Sequence, residues 1–352
     1  LNTSQIAAMN NSQITALLTQ QVVALETSDV AALNGAQLAS LDTTQFAVLS
    51  TDQLLAIGAT QFGDLSTEQL QSIATTKISA LTTDQLQSLN DARVAALTTE
   101  QVQQLSSSQF NGMRDDQMLA LTTDQVRALS TVNLANLSSS HIQQFSSEQL
   151  QAITTGNIAA IGTVALAALA DDKLNILGTT WFKALSVSQL PALTTSQINQ
   201  IATEQLQALS TTQLDALSTA QWASVSVEGL QGLSTSQVAS LSTDDWSALT
   251  NTQVAALSTA QVRGLRSDQV STWSTTQLSN LLGTQVAALT TTNLRVMSSS
   301  QVQALTDTQL PSLTTTQTAA LTTQQVAALK SSQVSVLTTD QITALSDAQI
   351  KV

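Results

Sequence analysis

Few side chains in this sequence could do chemistry, and none of them are gathered. His141 is the only histidine among 352 residues, and there is no cysteine or tyrosine. A lone imidazole needs a nucleophile and an orienting acid, and no such relay can be assembled around it. It stands in Ser138-Ser139-Ser140-His141-Ile142, at a place where most of the chain carries Gln, so it reads as a polar substitution. The pairs Asp115-Asp116, Asp171-Asp172 and Asp244-Asp245 could suggest cation sites. They lack the Gly and spaced Asp of a calcium loop. Each falls where a helix is expected to start, so compensation of the helix dipole explains them more simply. Without Cys there is no thiolate metal site, disulfide or thiol nucleophile. No phosphate-binding glycine loop is present either. The expectation is therefore no catalytic residue, no metal, no cofactor and no enzyme activity.

Trp181-Phe182-Lys183 is the most unusual spot, because Trp181 takes a position that is otherwise polar. These three residues are the candidate contact site, between fibres or toward a ligand; a tolerated surface aromatic is the simpler alternative. Trp222, Trp246 and Trp273 take apolar positions and read as core.

The elements that position these residues follow from a repeat. Charged residues make up 10% and aromatics 3% of the chain, with 11 Gly and 2 Pro. Ordinary domains carry about 25% charged residues. The difference is made up by Ser, Thr, Gln and Ala. Apolar residues still reach 42%, and they recur every eight residues from Leu1 onward without a slip. The chain is 44 octads, a single uninterrupted array over residues 1–352 with no linker and no second domain. Counted from its leading Leu, the octad reads Leu, Ser/Thr, Thr, variable, Gln, Val/Leu/Ile, variable, Ala. Position one is apolar in all 44 octads, position six in 43 (Thr318 is the exception), and position five is Gln in 32. No longer period overlies the eight.

Ser/Thr at position two and Gln at position five have the spacing of a capping box, and the apolar residues at positions one and six have that of a hydrophobic staple. The expected helix runs from about position three to position eight. Charge placement agrees. Of 24 acidic residues, 18 sit at positions three or four, the first turn, and no basic residue does. Five of 11 basic residues sit at position seven, near the negative end: Arg127, Lys183, Arg263, Arg295 and Lys351. One unbroken helix fails, because eight residues advance it by about 800° and the apolar stripe would precess about 80° per octad. A β-solenoid is the rival, favoured by Thr and Val. Yet positions one and six lie five apart, on opposite faces of a strand. Pro191 and Pro311, at position seven, conflict with a regular helix and should distort their octads or shift the boundaries.

A six-residue helix is far too short to persist alone. Two buried side chains per octad do not offset the entropy of ordering eight residues. Neighbouring octads must therefore stack, burying positions one and six in a shared core with small residues at position eight. The expected fold is all-α: a regular solenoid or superhelix of 44 very short capped helices. The first and last octads look like the rest, so their end faces would expose apolar core. The segment is then either cut from a longer chain or meets other subunits head to tail.

Ala256-Leu257-Ser258-Thr259-Ala260-Gln261-Val262 and Leu337-Thr338-Thr339-Asp340-Gln341-Ile342-Thr343-Ala344-Leu345 resemble the tandem octapeptide tracts of large proteobacterial proteins labelled as adhesion or haem-utilisation repeats. The resemblance covers the whole chain and implies an exported surface or extracellular protein. It brings no haem site, since one His and four Met make no paired axial ligands. The Leu-Thr-x-x-Gln-Val start also resembles the first helix of the DNA-reading repeats of transcription-activator-like effectors, which supports a helical octad. Their second helix and base-reading loop are missing, and a net charge of −13 disfavours nucleic acid and anionic membrane alike.

No apolar run approaches the roughly 20 residues of a membrane span. The chain opens on Leu1, so a leader is expected to lie outside this segment. The leading functional expectation is a structural element of a bacterial extracellular filament, sheath or fibrous adhesin stalk. Its partners would be copies of itself and components of the cell surface. The alternative is a solenoid scaffold for a protein or peptide. Far-ultraviolet circular dichroism of the chain should show the double minimum of helix; a single sheet-type minimum would favour the β-solenoid.

Overall fold

The computed structural model describes residues 1–352. It is all helical, with one short helix in every octad and no strand. Forty-two are α-helices of four to six residues, such as Thr3–Ala7, Thr51–Ala56 and Thr123–Arg127. They start at position three and end between positions six and eight. The β-solenoid alternative is excluded.

The start signal works as the spacing predicts. In the seventh octad, the Gln53 amide N–H donates to the Ser50 hydroxyl (3.1 Å), and the Ser50 amide N–H donates to Gln53 Oε1 (2.7 Å). Two N–H groups with no partner inside the helix are satisfied together. Where position two cannot cap, half the box survives: the amides of Gly58 and Ala202 still donate to Gln61 and Gln205 Oε1 at 2.8 and 2.9 Å. The first-turn carboxyls of Glu68, Glu100 and Glu148 are held below their ordinary pKa, chiefly by their own backbone N–H.

The stop needs no glycine. The position-one amide closes the last turn on the position-six carbonyl, as in Leu121 to Met118 (3.4 Å) and Leu129 to Val126 (3.2 Å). Two extended residues then turn the chain into the next helix; Leu121 and Thr122 have φ/ψ of −61/133° and −71/158°. No residue has a positive φ, so the array repeats with L-residues alone and Gly stays scarce.

The two remaining octads carry the prolines. Leu190–Ala192 and Leu310–Ser312 are 3-10 turns. Proline lacks the N–H that position seven would donate back along the helix, and the chain tightens to i→i−3 bonds, as in Ala192 to Gln189 and Ser312 to Gln309 (3.1 and 3.0 Å). The helix boundaries hold everywhere else, so the distortion is local.

Two compact units, Leu1–Leu177 and Gly178–Val352, make up the chain. In the first, helices pack against those three octads away, for example Ser139–Gln144 against Thr163–Ala168. The second repeats the pattern, for example Thr203–Ala208 against Val227–Gly232. Positions one and six form the core of each. Leu65, Leu70, Phe110 and Ile142 are buried in the first unit, and Leu214, Trp222, Leu241 and Trp246 in the second. Thr318, the polar exception at position six, is also fully buried and turns its hydroxyl onto the Thr314 carbonyl (3.1 Å). No helix is long and apolar enough to cross a membrane.

Ala202 caps with no side chain although its backbone is extended like that of its Ser and Thr counterparts. Ala202→Ser should therefore raise the apparent stability by about 1 kcal/mol, read from the urea unfolding midpoint.

Candidate functional site

The chemically distinctive feature is the position-five amide, which the sequence reading placed only in the capping box. It is buried. Gln117 and Gln269 are wholly inaccessible, and Gln53, Gln85, Gln253 and Gln341 nearly so. Oε1 is fixed by the cap, which leaves Nε2 pointing toward the preceding turn of octads. There it donates to two backbone carbonyls, 28 and 31 residues earlier. Gln117 Nε2 reaches Leu89 and Leu86, both at 2.8 Å. Gln53 reaches Leu25 and Val22 at 2.8 and 3.0 Å. In the second unit, Gln253 reaches Val225 and Trp222 at 2.7 and 2.9 Å. One primary amide thus caps its own helix and satisfies the end of another. The position-one carbonyl lies outside its helix and is buried, so it needs such a donor. Even the proline octad keeps the bond: Gln309 reaches Leu281 and Leu278 at 2.6 and 2.8 Å.

The substitutions at position five follow the same requirement. Seven of the 12 non-Gln residues there also donate to the carbonyl 28 residues earlier. Asn133, Asn157 and Asn293 reach Leu105, Leu129 and Leu265 at 3.0, 3.2 and 3.2 Å. Lys77, Arg93 and Lys173 reach Leu49, Leu65 and Phe145 at 2.6, 2.6 and 2.8 Å. His141 is the seventh: its Nε2 lies 3.0 Å from the Met113 carbonyl, a contact that requires the Nε2–H tautomer. It is 4% exposed and takes over the donor half of the Gln role, while its buried Nδ1 is left without a partner. Three basic residues that fitted no helix-dipole rule are thereby explained.

A second, outer ladder runs the other way. Position-seven amides donate to position-eight carbonyls 25 residues later, as in Gln71 to Ala96 (2.8 Å), Gln143 to Ala168 (3.0 Å) and Gln231 to Ala256 (2.8 Å). Position eight sits mostly at a half-buried rim, with Ala152, Ala288 and Ala320 buried. The approach there is close: a Cβ on Gly112 or Gly232 would lie 2.2 Å from a methyl group of Thr83 or Thr203.

The candidate contact residues are not a surface group. Trp181 and Phe182 are 3% and 0% exposed, and their rings meet edge to face at 5.8 Å. Only Lys183 is exposed. Trp181 occupies the buried position five, and it looks polar in the sequence only because Gln usually stands there. Trp222, Trp246 and Trp273 are core as expected, the last two stacked at 6.2 Å. The acidic pairs lie in first turns, and Asp116 pairs with Arg114 at 2.9 Å. Nowhere are three or more His, Asp or Glu side chains gathered to hold a metal ion.

Asp245 departs from the pattern in sign. It is 5% exposed at position five, where the register assigns it the Leu217 carbonyl. A carboxylate cannot donate to that oxygen. The Ser242 hydroxyl donates to it at 2.6 Å, but burial dominates and raises its pKa above the ordinary aspartate value.

These features define a tandem-repeat protein whose octads are joined by side-chain amides. The ALTTAQ repeat model matches it at residues 22–59, 94–131, 227–259, 283–315 and 315–347. Over those segments the chain is similar to that repeat. Comparison with curated proteins gives no match.

Two stability measurements test the site. Gln117→Leu should lower the urea-derived stability by about 3 kcal/mol, because two buried carbonyls lose their donor. The same change at the exposed Gln71 should cost under about 1 kcal/mol. For Asp245, a raised pKa means the folded state binds the proton more readily. The folded state is then penalised at neutral pH and relieved as pH falls toward the unfolded aspartate value near 3.9. Asp245→Asn should therefore stabilise the protein at pH 7, with a gain that shrinks on acidification through that range.

Proposed function

We propose that this chain is a structural repeat protein of the bacterial cell exterior, a length of filament, sheath or fibrous adhesin stalk. The observation that carries the reading is the uniformity of the amide ladder. Position five places a side-chain donor against a neighbouring carbonyl in most octads, and Asp29, Ala165, Trp181, Gly229 and Asp245 are the substitutes that do not. Such an array gains stability from each repeat that stacks on its neighbour. Its position-five side chains are engaged in holding the repeat together, and the reading involves no catalytic step.

Copies of the chain would extend or thicken the structure by head-to-tail or lateral association, with cell-surface components as anchors. An exposed face rich in Ser and Thr, low in charge of either sign and free of thiols suits an extracellular spacer. The alternative, a scaffold for a peptide, drew on Trp181 as a surface contact, and the burial of that side chain removes its motive.

Antibodies raised against the purified chain should label intact cells of the source bacterium along thread-like extensions seen by electron microscopy. Labelling confined to permeabilised cells would overturn the proposal.

A further inference from the structure

Two acids stand at position five, and their surroundings differ. Asp29 accepts the Thr3 hydroxyl on Oδ1 (2.9 Å) and the Glu26 amide N–H on Oδ2 (3.1 Å). Both its oxygens are met by donors, so the ionised form is satisfied. Asp245 accepts the Ser242 hydroxyl on Oδ2 at 2.6 Å. Its register partner is an oxygen, the Leu217 carbonyl, which has no other donor.

Asn shows what a side chain of this length does at position five. Asn133 accepts the Ser130 hydroxyl on Oδ1, and its Nδ2 donates to the Leu105 carbonyl at 3.0 Å. Asn157 and Asn293 reach Leu129 and Leu265 at 3.2 Å. Asp has the same shape. With Oδ2 held by the Ser242 hydroxyl, Oδ1 takes the place that Nδ2 has in Asn133. Two acceptor oxygens then face each other, and only a proton between them makes a hydrogen bond.

The charges nearby do not answer Asp245. It opens helix Thr243–Ala248, against which Thr219–Ser224 and Ser267–Ser271 pack. The first of these carries no ionisable side chain. The second contributes Asp268, which is paired with Arg266 at 3.0 Å. Asp215 and Asp244 add charge of the same sign. The ladder is also thin at this point. Gly229, two octads earlier, has no side chain to offer the Ile201 carbonyl. Gln237 and Gln253, on either side of Asp245, keep their bonds to Leu209 and Val225 at 2.9 and 2.7 Å. From Gly229 to Gln253, every second rung lacks its amide.

We propose that Asp245 is a proton-operated rung: one proton taken from solvent onto its carboxyl is donated to the Leu217 carbonyl and closes this seam of the array. No other bond forms or breaks. In the ionised state the carbonyl has no donor and faces a carboxylate. Burial raises the pKa of Asp245 against the opposing hydrogen bonds from Ser242. The folded state therefore binds the proton more readily than the unfolded one, and the seam gains stability as pH falls. Asp268 has the opposite sign, because Arg266 lowers its pKa, and it loses stability only in stronger acid. The seam is thus held more firmly in mildly acidic surroundings than at neutral pH.

Amide hydrogen exchange of the whole chain, read by mass spectrometry, follows local opening. Fragments covering residues 217–224 and 243–249 report on the seam, with rates expressed relative to the unfolded chain at each pH. The range is pH 7 to about pH 5, above the ordinary carboxylate values, so the other acids stay ionised. Four variants separate the donor from the charge. Asp245→Asn and Asp245→Gln supply a permanent N–H. Asp245→Ala and Asp245→Leu remove the charge and supply none; Ala165 shows that Ala is accepted at position five. Circular dichroism verifies each fold.

At pH 7 the Asn and Gln variants should exchange about ten-fold more slowly than the wild-type chain in both fragments. Wild-type protection should climb toward theirs on acidification, while theirs stays level. The Ala and Leu variants should remain less protected than the Asn variant at every pH, without a climb. A fragment covering residues 123–127, around the intact rung of Gln125, should respond to none of the changes. Wild-type protection that fails to rise with acid overturns the proposal. So does an Ala or Leu variant protected as well as the Asn variant, which would assign the effect to buried charge alone.

Discussion

The structure depends on a primary amide placed where it can serve two masters. Its oxygen must accept the N–H that opens its own helix, and its nitrogen must donate to carbonyls that close the turn below. A helix of five or six residues leaves most of its backbone groups unpaired at the ends. An array of such helices consists almost wholly of ends, so the usual minor cost of termination becomes the central problem of the fold. Gln solves the starting half locally and the finishing half at a distance, and in doing so locks one turn of octads onto the next.

Other features follow from that bond. The Leu at position one must place its carbonyl outside the helix, in extended backbone, which removes the need for a left-handed residue and explains the scarcity of Gly. Position five must be buried, so its substitutes are judged as donors and not by size: Asn, Lys, Arg and His all reach the same oxygen. Even proline is tolerated, because Pro191 and Pro311 at position seven disturb the helix interior and leave the position-five side chain of Gln309 in register. Where the donor is absent, as at Ala165 and Gly229, neighbouring octads hold the segment through their own amides and the apolar core. Asp245 shows the cost of the wrong polarity.

The helical octad was legible because its signals are local. The capping spacing, the acidic first turn and the apolar pair at positions one and six all lie within eight residues, and each describes the same short helix. The disturbed octads were legible for the same reason, since Pro191 and Pro311 break a bond internal to their own helix. Trp181 was misplaced as a surface residue because polarity was taken as a sign of exposure. A buried Gln with all its hydrogen-bonding capacity used looks, in sequence, like a solvated one. The signal that could have shown otherwise was present in the substitutions: seven of the 12 non-Gln residues at position five are Asn, Lys, Arg or His, each with an N–H to donate.

What the sequence determined by itself is the unit: one capped helix per octad, its two core positions and its polarity. The tertiary structure decided which octads touch. A strict period of eight makes every position-one carbonyl chemically identical, so nothing in the text tells Gln117 to choose Leu89 over Leu97 or Leu81. That choice belongs to the angle between successive helices and the packing of positions one and six, which bring residues 28 and 31 apart within reach of one amide. Distance in space selects among equivalent partners.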